Sequence, residues 1–178
     1  RCVALEEIFA EAERDTAVPR PLLESMERLA RAIHDDYIAD QKRSGARIYV
    51  AEDFDALEAS SRYSNLRQAM NMDKKLRRLG FALVSKGAEG EAVAELPHEA
   101  VERYAIAEHD DWMRGKERFG WVYNPVRNDA LKHHDCLLPW EELPDVQREK
   151  DRNAARNAVA LAGYENLCKL VSAAHMDR

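Results

Sequence analysis

The chain has 178 residues, of which 34% are charged and 7% are aromatic, and its formal net charge at pH 7 is −6. This composition is typical of a well-solvated globular protein, and the negative charge disfavours general nucleic-acid binding, which needs a positive surface. The cysteines, Cys2, Cys136 and Cys168, lack CxxC spacing and indicate reduced thiols rather than a disulfide framework or a zinc site. No apolar run approaches the ~18 residues of a membrane span, and no signal peptide is evident. We therefore expect a cytoplasmic protein with no membrane segment in this sequence, no nucleic-acid partner and no cofactor.

The first half of the chain is predicted to contain three helices. An amphipathic pattern over Cys2–Arg14 predicts a short helix, and two prolines separate it from the next one. A longer helix is predicted to end near Gly45, because apolar residues recur at three- and four-residue steps: Leu22, Met26, Leu29, Ile33 and Tyr37. A short β-like run covers Arg47–Ala51, and a further helix covers about Ser64–Leu79. The inward residues of this last helix are predicted to be Leu66, Met70, Leu76 and Leu79.

The second half follows a similar plan. Lys86–Glu91 has the composition of a linker, and a helix is predicted over Pro97–Phe119. An irregular loop, Trp121–Leu138, has room for a short hairpin. A last long helix covers Asp145–Ala162, and a short terminal helix is predicted over Glu165–Ala174.

One segment of the first half recurs in the second. Residues 26–45 set over residues 101–120, at a constant offset, give nine identical positions, where about one is expected by chance. The pairs are Glu27/Glu102, Arg28/Arg103, Ala30/Ala105, Ala32/Ala107, His34/His109, Asp35/Asp110, Asp36/Asp111, Arg43/Arg118 and Gly45/Gly120. Tyr37 meets Trp112 in the same register. We therefore predict a mainly α fold: a pseudo-twofold pair of helix–loop–helix repeats, with short β elements in the loops. Residues 1–21 would be an N-terminal helix and linker, 22–85 a degenerate repeat and 96–174 the second repeat.

The second repeat carries rare residues at fixed spacing. They are Gly120-Trp121-Val122-Tyr123-Asn124-Pro125-Val126-Arg127-Asn128-Asp129, Lys132, Leu138-Pro139-Trp140-Glu141-Glu142-Leu143-Pro144, Asp151-Arg152-Asn153 and Gly163-Tyr164. From about Leu96 to Leu167 this pattern resembles the RyR domain, the repeat named for ryanodine receptors, in its bacterial type. It departs from the family at Asn124, where glycine is usual, and at Asp135, where proline is common. The first half resembles a degenerate copy, in which Ala46 replaces the tryptophan of the family's Gly-Trp pair.

The resemblance implies a non-enzymatic regulatory or sensor module. In ryanodine receptors these repeats occur in pairs and form a peripheral helical module. The family implies a site between paired repeats for an adenine nucleotide or a drug-like ligand, involving the tryptophan of the Gly-Trp pair. Bacterial members lie beside regulatory and nucleotide-handling domains, which implies an attached effector domain or a protein partner.

Residue chemistry suggests how such a site would bind a small anion. The rings of Trp121 and Tyr123 suit a stacked nucleobase, and the guanidinium of Arg127 suits a phosphate. Further candidate ligand-binding residues are Trp112, Tyr37, His34, His109, Arg152 and Asn153. The alternative is that the two loop rings pack against the helices while Arg127 pairs with Asp110 or Asp129.

Two other function classes remain open. One is a protein-interaction module without a small ligand. The other is a metal-dependent phosphohydrolase, suggested by three His-Asp pairs: His34-Asp35, His109-Asp110 and His134-Asp135. Adjacent helical residues point about 100° apart, which disfavours a shared metal and favours buried histidines with solvent-facing aspartates. Cys136 is a weak candidate nucleophile, and the basic clusters 74–78 and 148–156 are expected to face solvent or to line a cleft.

Overall fold

The computed structural model of the chain describes residues 20–163 and 168–173, and for residues 20–25 the backbone alone. The helix predicted over Cys2–Arg14 lies outside these residues. The described chain is mainly α-helical with a few short strands, as predicted. It divides into two compact units, Arg1–Met70 (unit 1) and Asn71–Arg178 (unit 2). Among the described residues, no helix combines the length and the apolarity needed to cross a membrane.

Unit 1 is built on the helix α1, Arg20–Ser44, which confirms the predicted long helix. Its buried stripe includes Ala30, Ile33 and Ile38. The helix ends where Gly45 takes a φ of +69° and the amide of the next residue, Ala46, donates to the carbonyl of Gln41 at 3.0 Å. A bond that reaches back over the last turn is the usual way for a helix to end at a left-handed glycine.

The strand predicted over Arg47–Ala51 is wrong, since this segment is irregular. Nε2 of His34 lies 3.0 Å from both the Ala51 and the Glu52 carbonyl oxygens, so these oxygens bond to a side chain instead of a neighbouring strand. A single 3-10 turn, Phe54–Ala56, follows this segment.

The helix α2, Ala59–Arg78, begins five residues before the predicted Ser64. Serines near a helix start usually indicate a cap. Here Ser64 lies inside the helix. Its hydroxyl donates to the Ser60 carbonyl one turn earlier, at 2.9 Å, and a serine bonded in this way fits within a helix. Leu66 and Leu76 are fully buried, as predicted, and Met72 is buried too.

Unit 2 contains the C-terminal part of α2 and the remaining elements. The long helices are α3, His98–Arg118, and α4, Asp145–Ala162, which pack against each other. The strands are β1, Phe81–Ser85; β2, Val122–Tyr123; β3, His133–His134; and β4, Cys168–Ser172. Both helices were predicted, α4 with the same bounds, since Pro144 precedes its first residue and Gly163 follows its last.

One prediction is overturned by a strand. The segment Glu165–Ala174 was predicted to be a terminal helix, but it contains the strand β4. This strand pairs antiparallel with β1, from Phe81 opposite Ser172 to Ser85 opposite Cys168. A short apolar run does not distinguish strand from helix by its period, and here the partner strand decides. In the loop after α3, β2 and β3 pair in parallel, and the one hairpin-like element of the described loop is an antiparallel bridge between Asn128 and His133.

Candidate functional site

The loop between α3 and α4 starts with a sharp turn. Gly120 has a φ of +79°, and the amide of Trp121 donates to the Lys116 carbonyl at 3.1 Å. The turn brings the indole of Trp121 against the last turn of α3, where its exposed fraction is 4%. Nζ of Lys116, itself a buried residue, lies 4.6 Å from the centroid of this ring. Lys116 is not among the residues predicted from the sequence, although its place in the last turn before the Gly-Trp pair was a usable signal.

The turn at Gly120 can be tested directly. We expect Gly120→Ala to lower the free energy of unfolding by about 1–2 kcal/mol, because a Cβ in the left-handed region strains the backbone. Urea denaturation measures the loss. Gly87→Ala is the matched control, since neither glycine has a neighbouring atom within 4 Å of an added Cβ and only Gly120 has a positive φ. Equal losses in both variants would show that the turn geometry is not the cause.

Four rings form a continuous row from the core to the loop, here called the ring row: His109, Trp112, His134 and Trp121. The centroids of His109 and Trp112 are 5.6 Å apart and stacked, those of Trp112 and His134 are 4.9 Å apart edge to face, and those of His134 and Trp121 are 5.8 Å apart. Three predicted ligand residues thus lie together. His134, which the sequence analysis considered only as part of a His-Asp pair, connects them.

Arg127 holds His134 in the row. Its guanidinium donates to both carboxylate oxygens of Asp129, at 2.7 and 3.0 Å, and its Nη1 lies 3.1 Å from Nε2 of His134. Burial and then the charge of Arg127 lower the pKa of His134 to about 4, so the ring is neutral at pH 7 and accepts from Arg127. The predicted alternative partner, Asp129, therefore carries the ion pair, and the bond from Arg127 lowers the pKa of Asp129.

The cluster His134, Asp135 and Cys136 has the right atom types for a metal. Its ligand atoms lie within 4.8 Å of one another. However, both ring nitrogens of His134 already have partners, since Nε2 lies 3.1 Å from Nη1 of Arg127 and Nδ1 accepts from the Cys136 amide at 3.1 Å. Burial, followed by the charge of Asp135, also raises the pKa of the Cys136 thiol to about 11. Ring nitrogens that are already hydrogen-bonded and a protonated thiol disfavour both metal binding and nucleophilic catalysis here.

His109 is buried at the inner end of the ring row. Its Nε2 lies 2.8 Å from the Leu138 carbonyl oxygen and its Nδ1 lies 3.4 Å from Oδ2 of Asp151. The ring also lies 6.0 Å from that of Trp140. His109 therefore has both ring nitrogens facing oxygens of the core, in agreement with the expectation that the histidines of the His-Asp pairs are buried.

Arg152 and Asn153 lie on α4, away from the loop turn. Arg152 donates to Glu102, Asp145 and Glu149, and its guanidinium carbon lies 5.8 Å from the Trp140 ring centroid. The side-chain oxygen of Asn153 accepts from Arg156 at 2.6 Å. The structure thus places these two predicted ligand residues in a network of ion pairs and amide bonds along α4, and not in the ring row.

Tyr123 is the predicted ring that faces solvent, with an exposed fraction of 48%. Three further exposed apolar side chains, Val122, Val126 and Leu131, lie in the same loop. Among the described residues, apolar side chains of this size are exposed at few other places, so the loop carries a local apolar surface.

The remaining predicted residues, His34 and Tyr37, lie in unit 1, which repeats part of this arrangement. The His34 ring lies 6.0 Å from Phe54, as that of His109 does from Trp140, and both partner rings begin a 3-10 turn. Residues 46–53 of unit 1 stand where unit 2 has residues 121–139, so unit 1 has no counterpart of the Trp121 loop. These parallels favour the predicted duplication, which stays a prediction.

A comparison of the sequence with known families identifies the segment that contains this site. Residues 92–165, somewhat less than half of the chain, match the family model of the RyR domain. The matched segment contains α3, the whole ring row, the loop and α4. The bacterial type and the second, degenerate copy stay predictions. Over residues 92–165, this chain is therefore similar to the RyR domain family, as its Gly-Trp motif indicated.

Proposed function

We propose that this chain is a non-enzymatic regulatory module that binds a small anionic ligand beside Trp121, with an adenine nucleotide or a nucleotide-derived signal as the first candidate. The similarity to the RyR domain suggests a regulatory or interaction module, and the nucleotide is this proposal's own step. Binding would shift the population of conformations that an attached effector domain or partner recognises.

The observation that carries the proposal is an unsatisfied donor. Nε1 of Trp121 is buried and finds no acceptor among the protein atoms of the described residues. A buried donor without a partner costs about 1–3 kcal/mol, so an acceptor from outside the chain would recover part of this loss. The ammonium of Lys116 lies over the same indole, and Arg127 bonds to His134, which contacts the indole, so two cations near Trp121 favour an anionic acceptor.

Burial assigns different roles to the two rings of the loop. Trp121 has little exposed surface on which a base could stack, and we expect it to contribute its N–H group. Tyr123 is half exposed and is the candidate stacking surface. A phosphate would compete with Asp129 for Arg127, while the buried His109 and His134 and the half-buried Trp112 would hold the loop in place.

A thermal-shift screen tests the proposal. The panel contains adenine nucleotides, cyclic nucleotides and ADP-ribose derivatives, and a ligand at 100 times its Kd should stabilise the fold by about 2.7 kcal/mol. Trp121→Phe keeps a ring and removes the N–H group, so we expect about tenfold weaker binding, which corresponds to ~1.4 kcal/mol.

Arg114→Gln is the matched control, because Arg114 is a largely exposed arginine near the end of α3 and outside the loop. Its affinity for the ligand should equal that of the unmodified protein. A panel without any shift, or a shift that Trp121→Phe leaves unchanged, would contradict the proposal.

The exposed apolar surface of the loop supports a second candidate, a protein-interaction module. Val126 and Leu131 are more than half exposed, and such clusters often mark interfaces. Val126→Ser with Leu131→Ser should weaken a protein complex and leave a nucleotide-induced shift intact. That pair of results distinguishes the two candidates.

A further inference from the structure

His109 joins three elements of unit 2. Its backbone belongs to α3, its Nε2 faces the Leu138 carbonyl of the loop at 2.8 Å, and its Nδ1 faces Oδ2 of Asp151 on α4 at 3.4 Å. Both facing atoms are oxygens, which accept hydrogen bonds. A neutral imidazole has one N–H group, so only the doubly protonated ring donates to both.

The charged groups around this ring come from three helices. Asp151 and Lys150 lie on α4, Asp110 and Glu108 lie on α3, and Lys75 of α2 acts on Asp151. From the loop, a backbone carbonyl faces His109. Burial lowers the pKa of His109, but the bonds to Asp151 and Leu138 and the charges of Asp151 and Asp110 outweigh burial and leave this pKa raised.

The ring row links this contact to the candidate site. Trp112 stacks on His109 and meets His134, which in turn contacts Trp121 and accepts from Arg127. Packed rings transmit a displacement because protein interiors are close-packed. Loss of the bond between His109 and Asp151 would therefore loosen the support of Trp121.

From this geometry we infer that His109 and Asp151 form a pH-sensitive latch, in which His109 holds both the loop and α4 to α3 while it is charged and loses one of these two bonds when it is neutral. The latch itself does not depend on the proposed function. Only its effect on ligand affinity does.

The direction of the pH dependence follows from linkage. A histidine whose pKa is higher in the folded state than the usual 6.5 stabilises the fold fully below about pH 6.5. This contribution is lost as the pH rises through the raised value. The latch is thus closed below about pH 6.5 and opens as the pH rises through the raised pKa of His109.

A titration of the intact chain from pH 5.5 to 9 tests the latch. NMR of the imidazole protons follows His109, and near-ultraviolet circular dichroism follows the packing of the tryptophans. We expect His109 to titrate above pH 6.5 and the dichroism to change with the same midpoint. Asp151→Asn should move both midpoints down by about one pH unit or more, because it removes the charge that favours the imidazolium. His109→Gln should abolish the dichroism transition.

His98→Gln is the control, since His98 is an exposed histidine on the same helix, and the transition should persist in this variant. A ring of His109 that titrates below pH 6.5, or a dichroism signal that stays constant while His109 titrates, would overturn the latch. These measurements use the unmodified protein and hold even where a variant fails to fold.

Where the thermal-shift screen yields a ligand, its affinity should fall across the same transition. A transition without any ligand in the panel would support the latch and count against the proposed function alone.

Discussion

Lys75→Met should lower the free energy of unfolding by about 3–5 kcal/mol at pH 7. The Lys75 side chain is 4% exposed, and its ammonium lies 2.8 Å from Glu108 and 2.9 Å from Asp111. Methionine fills a similar volume without a charge. The variant would therefore leave the buried Glu108 without its cation, and Asp111 would keep only the more distant Arg114, at 3.7 Å.

The loss should depend on pH in a defined direction. Burial raises the pKa of Glu108 even though the charge of Lys75 lowers it, and removal of Lys75 should raise this pKa further. A carboxyl group with a raised pKa favours the folded state at low pH, so the deficit of the variant should narrow as the pH falls from 7 toward 4.5. Urea denaturation followed by circular dichroism at several pH values measures this deficit.

Two further variants isolate the cause. Lys74→Met removes an exposed neighbouring charge and should change stability by no more than about 0.5 kcal/mol. Glu108→Gln with Asp111→Asn, added to Lys75→Met, should recover much of the loss, because the stranded charges are then absent. A loss that stays the same in the triple variant would show that packing, not charge, is responsible.

Trp140→Ala should cost about 3–5 kcal/mol, the range for removal of a large buried aromatic side chain. Trp140 packs with Ala105 and Leu143, with Cys136 and Leu138 at the edge of the same cluster. It therefore fastens the end of the loop to α3. The same urea series measures the loss, and Trp140→Phe should lose less because it keeps part of the buried ring.

Val146→Ala is the control for this prediction, since Val146 lies in the first turn of α4 with an exposed fraction of 69%. Its stability should change by no more than about 0.5 kcal/mol. If the two alanine variants were equally stable, the cluster around Trp140 would not hold the loop.

The helices could be predicted from the sequence because their signals are local. Pro144 and Gly163 bracket α4, and Gly45 and Gly120 follow α1 and α3 with positive φ values. The strand β4 could not, because Leu170 and Val171 suit either structure and their partner β1 is far away in the sequence. Tertiary pairing decided the outcome there.

The candidate site shows the same division. The sequence analysis grouped Trp112, Trp121 and His109 with six further candidate ligand residues, and the structure brings these three together in the ring row. Whether a side chain is exposed depends instead on which residues of other elements pack against it, and local spacing does not reveal these. The cluster of basic residues 74–78 was expected to face solvent or to line a cleft, yet Lys75 is buried because two carboxylates of α3 face it. The burial of Trp121 beneath Lys116 has the same origin.

The pairing of β1 with β4 sets limits on how this molecule can be divided for experiments. Both strands lie outside residues 92–165, and the contacts that secure them also reach outside: the Ala173 amide donates to the Gly80 carbonyl at 2.7 Å. A fragment trimmed to the family boundaries would lose the whole β1–β4 pair and leave Ala92 and Val93 without their strand partner. It would also lack the cation of Glu108 and Asp111. An independently folding piece of unit 2 should therefore begin before Lys75 and continue past Ala173.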